Sequence, residues 1–198
     1  MLRELCDSFL MLFIVFDAVG NAPVFYTLTR GYSEEERSRI FAKSVLVAGS
    51  LLVFFTFFGW PVLEYYGVAL DDFRVAGGIL LMILAIEGLL GRVEAMRLES
   101  EDVAIVPMAT PLLAGPGSIY VVMYLNSTYG PLPTLFSIAA NTAVTYVFLK
   151  YSGMLLERLG RNVLLVLSRL MAFLLAVVAV AMLREGLEGM VARFLELP

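Results

Sequence analysis

The chain has 198 residues, of which 60% are hydrophobic and 16% charged; its mean hydropathy is +0.87 and its formal net charge −4. Soluble domains hold roughly 45–50% apolar and about 25% charged residues, so this composition places the chain in a membrane. With no histidine there is no imidazole base, histidine metal ligand or histidine proton switch, and the lone Cys6 cannot form an internal disulfide or a multi-cysteine metal site.

A membrane-crossing helix takes roughly 20 mostly apolar residues. Six runs fit, at about 8–29, 40–60, 74–91, 104–125, 132–150 and 163–184. Strand-like alternation is absent over these lengths, which argues against a transmembrane barrel. Six spans fill nearly the whole chain and leave no room for a soluble catalytic domain, so no enzyme is expected. Glu4 and Asp7 spoil a basic leader, and the first run reads as a retained span rather than a signal peptide.

The first span is interrupted at Phe16-Asp-Ala-Val-Gly-Asn-Ala-Pro-Val-Phe25 by a carboxylate (Asp17), a flexible residue (Gly20), an amide (Asn21) and a helix breaker (Pro23). Ser33-Glu-Glu-Glu36 has capping-box spacing and predicts the start of a helix that runs into span 2. Span 2 is expected to end at Gly59-Trp60-Pro61. Asp71, Asp72 and Arg74 stand at the entrance of span 3, Glu87 near its far end, and 92–103 forms a charged linker. Span 4 carries a second interruption, Pro107-Met-Ala-Thr-Pro111-Leu-Leu-Ala-Gly115-Pro116-Gly117-Ser118. Asn141, Thr142 and Thr145 lie inside span 5, and Ser168-Arg169 near the start of span 6.

At a fixed offset of 95, Gly20 falls on Gly115, Arg74 on Arg169 and Gly91 on Gly186. Matching halves with three spans each enter the membrane from opposite sides. The expected fold is therefore all-α: six transmembrane helices in two inverted three-helix repeats, 1–95 and 96–198, with helices 1 and 4 broken at mid-membrane. This is a recurring plan of secondary transporters. Ten basic residues (Arg30, Arg37, Arg39, Lys43, Arg92, Arg97, Lys150, Arg158, Arg161, Arg169) follow spans 1, 3 and 5, against four (Arg3, Arg74, Arg184, Arg193) on the other side. Both termini are thus expected outside the cell membrane.

Irregular backbone is tolerated in a membrane only where protein or a water-filled cavity satisfies its polar groups. Pro23 and Pro116 suit the first turn of new half-helices, with Asn21 or Ala22 near the first N-cap and Gly115 before the second. Such ends attract a carboxylate. Asp17, whose insertion costs roughly 2.5–3.5 kcal/mol, suits an ammonium or a proton. A small zwitterion fits both. The candidate substrate site is Asp17, Gly20, Asn21, Pro23, Thr110, Pro111, Gly115, Pro116, Gly117 and Asn141, with Asp17 also the candidate for ion or proton coupling. The bland alternatives are a carboxylate that only holds the bend, kinked packing helices, and an Asn141 that bonds a neighbouring helix.

The stretches Asp17-Ala-Val-Gly20-Asn21-Ala-Pro23, Arg74-Val-Ala-Gly77-Gly78, Ile105-Val-Pro107, Pro111-Leu-Leu-Ala-Gly115-Pro116-Gly117 and Ser168-Arg169-Leu-Met resemble the MarC family of six-span membrane proteins, in order from first span to last. The resemblance implies a transporter of small neutral amino acids, glycine and alanine, driven by an ion gradient; no cofactor is expected beyond a coupling ion, for which a proton and sodium both stay open. Two positions depart from the family pattern: Ala18 stands where proline usually follows the aspartate, and Ala172 where glycine is common. The rival functions are an exporter or channel for another small solute, an intramembrane enzyme, and a structural protein. Histidine-dependent serine chemistry is impossible here, and an aspartyl dyad lacks its second carboxylate. The lipid bilayer and a small amino acid are the expected partners, nucleic acid is not, and homo-oligomerisation stays open.

Overall fold

A computed structural model describes residues 2–29, 31–90 and 104–195. All elements among these are helical: α1 (Leu2–Phe16), α2 (Ala18–Leu28), α3 (Glu34–Tyr65), α4 (Leu70–Leu90), a π-helix (Ala104–Leu113), α5 (Pro116–Tyr129), α6 (Pro131–Lys150) and α7 (Ser152–Leu195). The linker at 92–103, Gly91 and Arg30 lie outside the described residues.

Local sequence accounts for most boundaries. The Ser33 hydroxyl accepts from the Glu36 amide, and the Glu36 carboxylate accepts from the Ser33 amide at 2.9 Å, so the predicted capping box opens α3. Pro116 is the first residue of α5, as predicted, behind an extended Gly115. Span 2 does not stop at Pro61. Helix α3 carries that proline inside it and continues to Tyr65, losing one amide donor. Helix α7 is much longer than the 163–184 run and bends at Gly160, whose φ of 76° is left-handed.

Five segments are long and apolar enough to cross a membrane: Leu2–Ala22, Glu34–Tyr65, Leu70–Leu90, Pro131–Lys150 and Leu165–Leu195. The fourth expected run is divided between the 10-residue π-helix and the 14-residue α5, and neither piece spans by itself. Large apolar side chains face outward along these helices, among them Phe54, Phe58, Leu80, Ile83, Phe173 and Val177. In a bilayer that surface meets lipid.

Packing couples the two halves of the sequence. The closest partnership joins α4 to α7, followed by α3 with α6 and α1 with α6, while α3 also packs on α5 and α2 on α7. Among the described residues, no two of α1 to α4 pack extensively against each other. The halves 1–95 and 96–198 are therefore interleaved in space. Small residues allow the α4–α7 approach: a Cβ on Gly78 would stand 3.0 Å from the Ala179 carbonyl and 3.1 Å from the Leu183 amide. One end of this seam is pinned by charge. Asp71 pairs with Arg74 at 3.1 Å and with Arg193, while Arg74 Nε donates to the Tyr120 hydroxyl at 3.0 Å. Elsewhere, Asn126 Nδ2 donates to the Thr56 carbonyl at 2.8 Å, joining α5 to α3. Among the described residues one apolar cluster fills the interior, with Leu12, Phe16, Phe25, Phe41 and Leu52 from the first half and Leu113, Val121, Leu125, Ile138 and Leu149 from the second.

Candidate functional site: two interrupted helices

The first interruption centres on Asp17. Its φ of 45° is left-handed, and it is the one non-glycine residue with positive φ among those described. Aspartate tolerates this conformation better than most side chains because its short polar group bonds locally. Here Oδ1 accepts from the Gly20 amide at 2.9 Å. In a continuous helix that amide would serve the Phe16 carbonyl. Asn21 Nδ2 reaches back to that carbonyl instead, at 3.4 Å. Gly20 makes the arrangement possible: a Cβ there would lie 2.6 Å from Asp17 Oδ1 and 2.7 Å from the carboxyl carbon.

Asp17 is therefore the cap of α2, with Gly20 at the third helical position. This corrects the expected cap at Asn21 or Ala22. The Asn21 amide already donates to the Asp17 carbonyl at 3.0 Å, so the helical ladder is running by then. Pro23 lies within α2 rather than at its first position. The carboxylate caps five residues earlier than a proline at the first helical position would place the start.

The second interruption falls at Ala114–Gly115. The π-helix ends with the Ala114 amide donating to the Ala109 carbonyl at 2.8 Å, a five-residue step. Gly115 (φ −89°, ψ 175°) then caps α5 without a side-chain bond. Ser118 Oγ donates to the Leu113 carbonyl at 2.7 Å. The two interruptions thus share one device: a polar side chain bonds a carbonyl five residues back. Ser118 stands 97 positions after Asn21, and Leu113 97 after Phe16, so the devices correspond two residues away from the gapless offset of 95.

The other predicted residues distribute as follows. Thr110 and Pro111 belong to the π-helix. Gly117 is buried against α4, where a Cβ would lie 2.6 Å from a Leu81 methyl, and the Pro116 carbonyl approaches Gly77 of the same helix. Both interruptions border the one apolar cluster, through Phe16 and Ala22 on one side and Leu113 and Ala114 on the other. Asn141, 1% exposed, is used differently. Its Nδ2 donates to the Ser137 carbonyl at 2.9 Å and the Phe9 carbonyl at 3.2 Å, tying α6 to α1 two turns before Asp17.

Sequence reasoning named Asn141 and Thr145, and the bond from Asn141 to α1 matches its helix-bonding alternative, but it missed Ser137 in the same layer. Ser137, Asn141 and Thr145 recur every fourth residue and are all buried, a polar stripe readable in the sequence. Ser137 Oγ donates to the Ser8 carbonyl at 2.8 Å. Asn141 Oδ1 and Thr145 Oγ1 are buried and have no hydrogen-bond partner among the described residues. The π-helix was also missed. Pro107 and Pro111 stand four apart, and a proline ring collides with the carbonyl four residues back in an ordinary helix. That spacing disfavours an ordinary α-helical turn over this stretch.

All-helical architecture, several apolar helices with a lipid-facing exterior, and helix interruptions stitched by their own side chains together define a multi-pass integral membrane protein. The chain belongs to the MarC family of integral membrane proteins, whose family model matches residues 2–191. It is 34% identical over 194 residues to a UPF0056 membrane protein of Methanocaldococcus jannaschii, covering 92% of this chain and 95% of the relative. It is 34% identical over 196 residues to the UPF0056 membrane protein YvbG of Bacillus subtilis, covering 92% and 93%. A UPF0056 membrane protein of Archaeoglobus fulgidus shares 33% identity over 192 residues, covering 91% and 90%. No solved structure matches the chain.

Proposed function

We propose that this protein is a secondary transporter of small neutral amino acids such as glycine and alanine, driven by a proton or sodium gradient, in the cell membrane with both termini outside. The observation that carries this is the pair of interruptions with a shared stitching device. A chain that only needed to fill the bilayer would have continuous helices, because freed backbone groups are costly in lipid. Paired interruptions in the two halves fit an inverted repeat of three helices each, with the π-helix and α5 together serving as the fourth span.

In this reading the substrate carboxylate sits at the start of α5. Gly115 brings no capping side chain, so the first amides of that helix are left for a ligand. Pro116 and Gly117 keep the approach narrow, with Thr110 and Pro111 on the preceding turn. The cap at Asp17 uses Oδ1 and leaves Oδ2 for an ammonium group or a coupling proton. Gly20 and Asn21 shape that side, and Pro23 follows them on α2. The unpartnered Asn141 Oδ1 adds an acceptor on α6. Because the sequence halves interleave, alternating access would move bundles of mixed origin rather than one half against the other.

The test is uptake of radiolabelled glycine into proteoliposomes under imposed proton or sodium gradients in turn. Saturable, gradient-dependent uptake with counterflow is expected. Asp17→Asn is expected to abolish the gradient dependence. Flux that neither saturates nor exchanges would make the protein a channel. Normal coupled uptake by Asp17→Asn would leave Asp17 with the bend alone.

A further inference from the structure

We propose that the outer face between α3 and α6 is a specific site for an anionic glycerophospholipid, with an acyl chain lying in the groove and the phosphate held at its basic end. The groove has a volume of about 760 Å³ and is lined by small or apolar side chains, including Ala42, Val53, Ala139 and Ala143. Its floor closes where Gly49 meets Thr142: a Cβ on Gly49 would stand 3.0 Å from Thr142 Oγ1. The lining runs along α3 from Ala42 to Val53. At about 1.5 Å per residue that is roughly 16 Å, close to half of a hydrocarbon core of about 30 Å. The groove therefore matches the depth of one leaflet.

A second, polar pocket of about 550 Å³ begins one helical turn further along both helices. Ser38 and Lys150 line it, while Ala42 and Tyr146 line the groove. The Ser38 and Tyr146 hydroxyls are hydrogen-bonded at 3.1 Å, so the two spaces abut end to end. The polar pocket presents Arg37, Lys150 and Arg158 against Glu34 and Glu157. Among the described residues no carboxylate pairs with any of the three cations, whereas nearby Arg39 is paired with Glu35 at 2.6 Å.

Aromatic rings hold two of the cations in place. The Arg37 guanidinium lies 4.9 Å over the Tyr26 ring, and Lys150 Nζ lies 5.9 Å over the Tyr146 ring. Arg37 Nε is buried and has no hydrogen-bond partner among the described residues. Three cations against two carboxylates, none of them ion-paired among the described residues and two oriented by aromatic rings, at the end of a one-leaflet apolar groove, match a phosphate with a tail attached. A second copy seated symmetrically on this face would bring the same cations together, which disfavours it as the occupant.

The full-length protein in detergent would be titrated with phosphatidylglycerol, phosphatidylcholine of the same acyl chains, and inorganic phosphate, with retention read by native mass spectrometry and stability by thermal unfolding. Phosphatidylglycerol is expected to bind tightest and to raise the unfolding temperature. The double variant Lys150→Gln/Arg158→Gln is expected to weaken its retention by about fivefold per cation removed, roughly 25-fold in all. Ala143→Leu, which fills the groove from an exposed position, is expected to reduce retention without changing lipid-free stability. Equal binding of the two lipids, a double variant that retains phosphatidylglycerol like the parent, or an equal shift with phosphate alone would overturn the proposal. So would an Ala143→Leu protein that changes oligomeric state while keeping its lipid, since a second copy would then own the groove.

Discussion

Asp17 holds a left-handed backbone turn and caps the helix that follows it. Both roles suit an uncharged amide nearly as well as a carboxylate, because asparagine accepts the same hydrogen bond and tolerates the same φ. Asp17→Asn is therefore expected to unfold within about 0.5 kcal/mol of the parent in detergent. Asp17→Ala, which loses the cap and strains the turn, is expected to cost about 2 kcal/mol or more. Thermal unfolding of the two variants checks this, and it separates the fold's need for residue 17 from any need for its charge. The polar interruption itself was legible, since Asp17, Gly20 and Asn21 stand out in an apolar run. Its geometry was misplaced because Pro23 drew the expected start toward itself, whereas the spacing of Asp17 and Gly20, a cap and its third residue, was the stronger signal.

At the scale of elements, the second interruption depends on a close approach. Gly117 at the start of α5 leaves room for Leu81 of α4, and a methyl group added there would collide with the Leu81 side chain. Gly117→Ala is expected to destabilise by about 1–3 kcal/mol through overpacking. Shortening the neighbour should relieve it: Gly117→Ala/Leu81→Ala is expected to be more stable than the sum of the single losses, with a coupling of about 0.5–3 kcal/mol in a double-mutant cycle read by thermal unfolding. The helix starts at Ser33 and Pro116 could be read ahead because caps and first-turn prolines act within a few residues. The run of α3 past Pro61 and the extent of α7 to Leu195 could not. Neighbouring helices repair a missing amide in a membrane bundle, and α7 is held to its far end by Arg193 on Asp71, a contact spanning 122 positions of sequence.

For the whole molecule, composition was enough to place the chain in a bilayer, and the length of its apolar runs without strand-like alternation gave its helical class. The division into halves was legible only as a sequence pattern. Each of the strongest packings joins α1, α2, α3 or α4 to a helix beyond the linker, and such pairings cannot be seen in the periodicity of either partner. A fragment comprising residues 1–95 is therefore expected to be degraded when expressed alone. Co-expression with 96–198 is expected to restore protease resistance, measured by limited proteolysis of membranes. Survival of the first fragment by itself would mean that its helices stabilise one another.

The interleaving also sets an order of events during synthesis. Midway through translation the ribosome has delivered several hydrophobic rods with no mates to settle against, since their mates are still unmade. They stand in the bilayer waiting for those partners, with Asp17 not yet enclosed by the later helices. A codon-level slowdown just after the linker would lengthen that wait, and would lower yield more than the same pause near the end of the message.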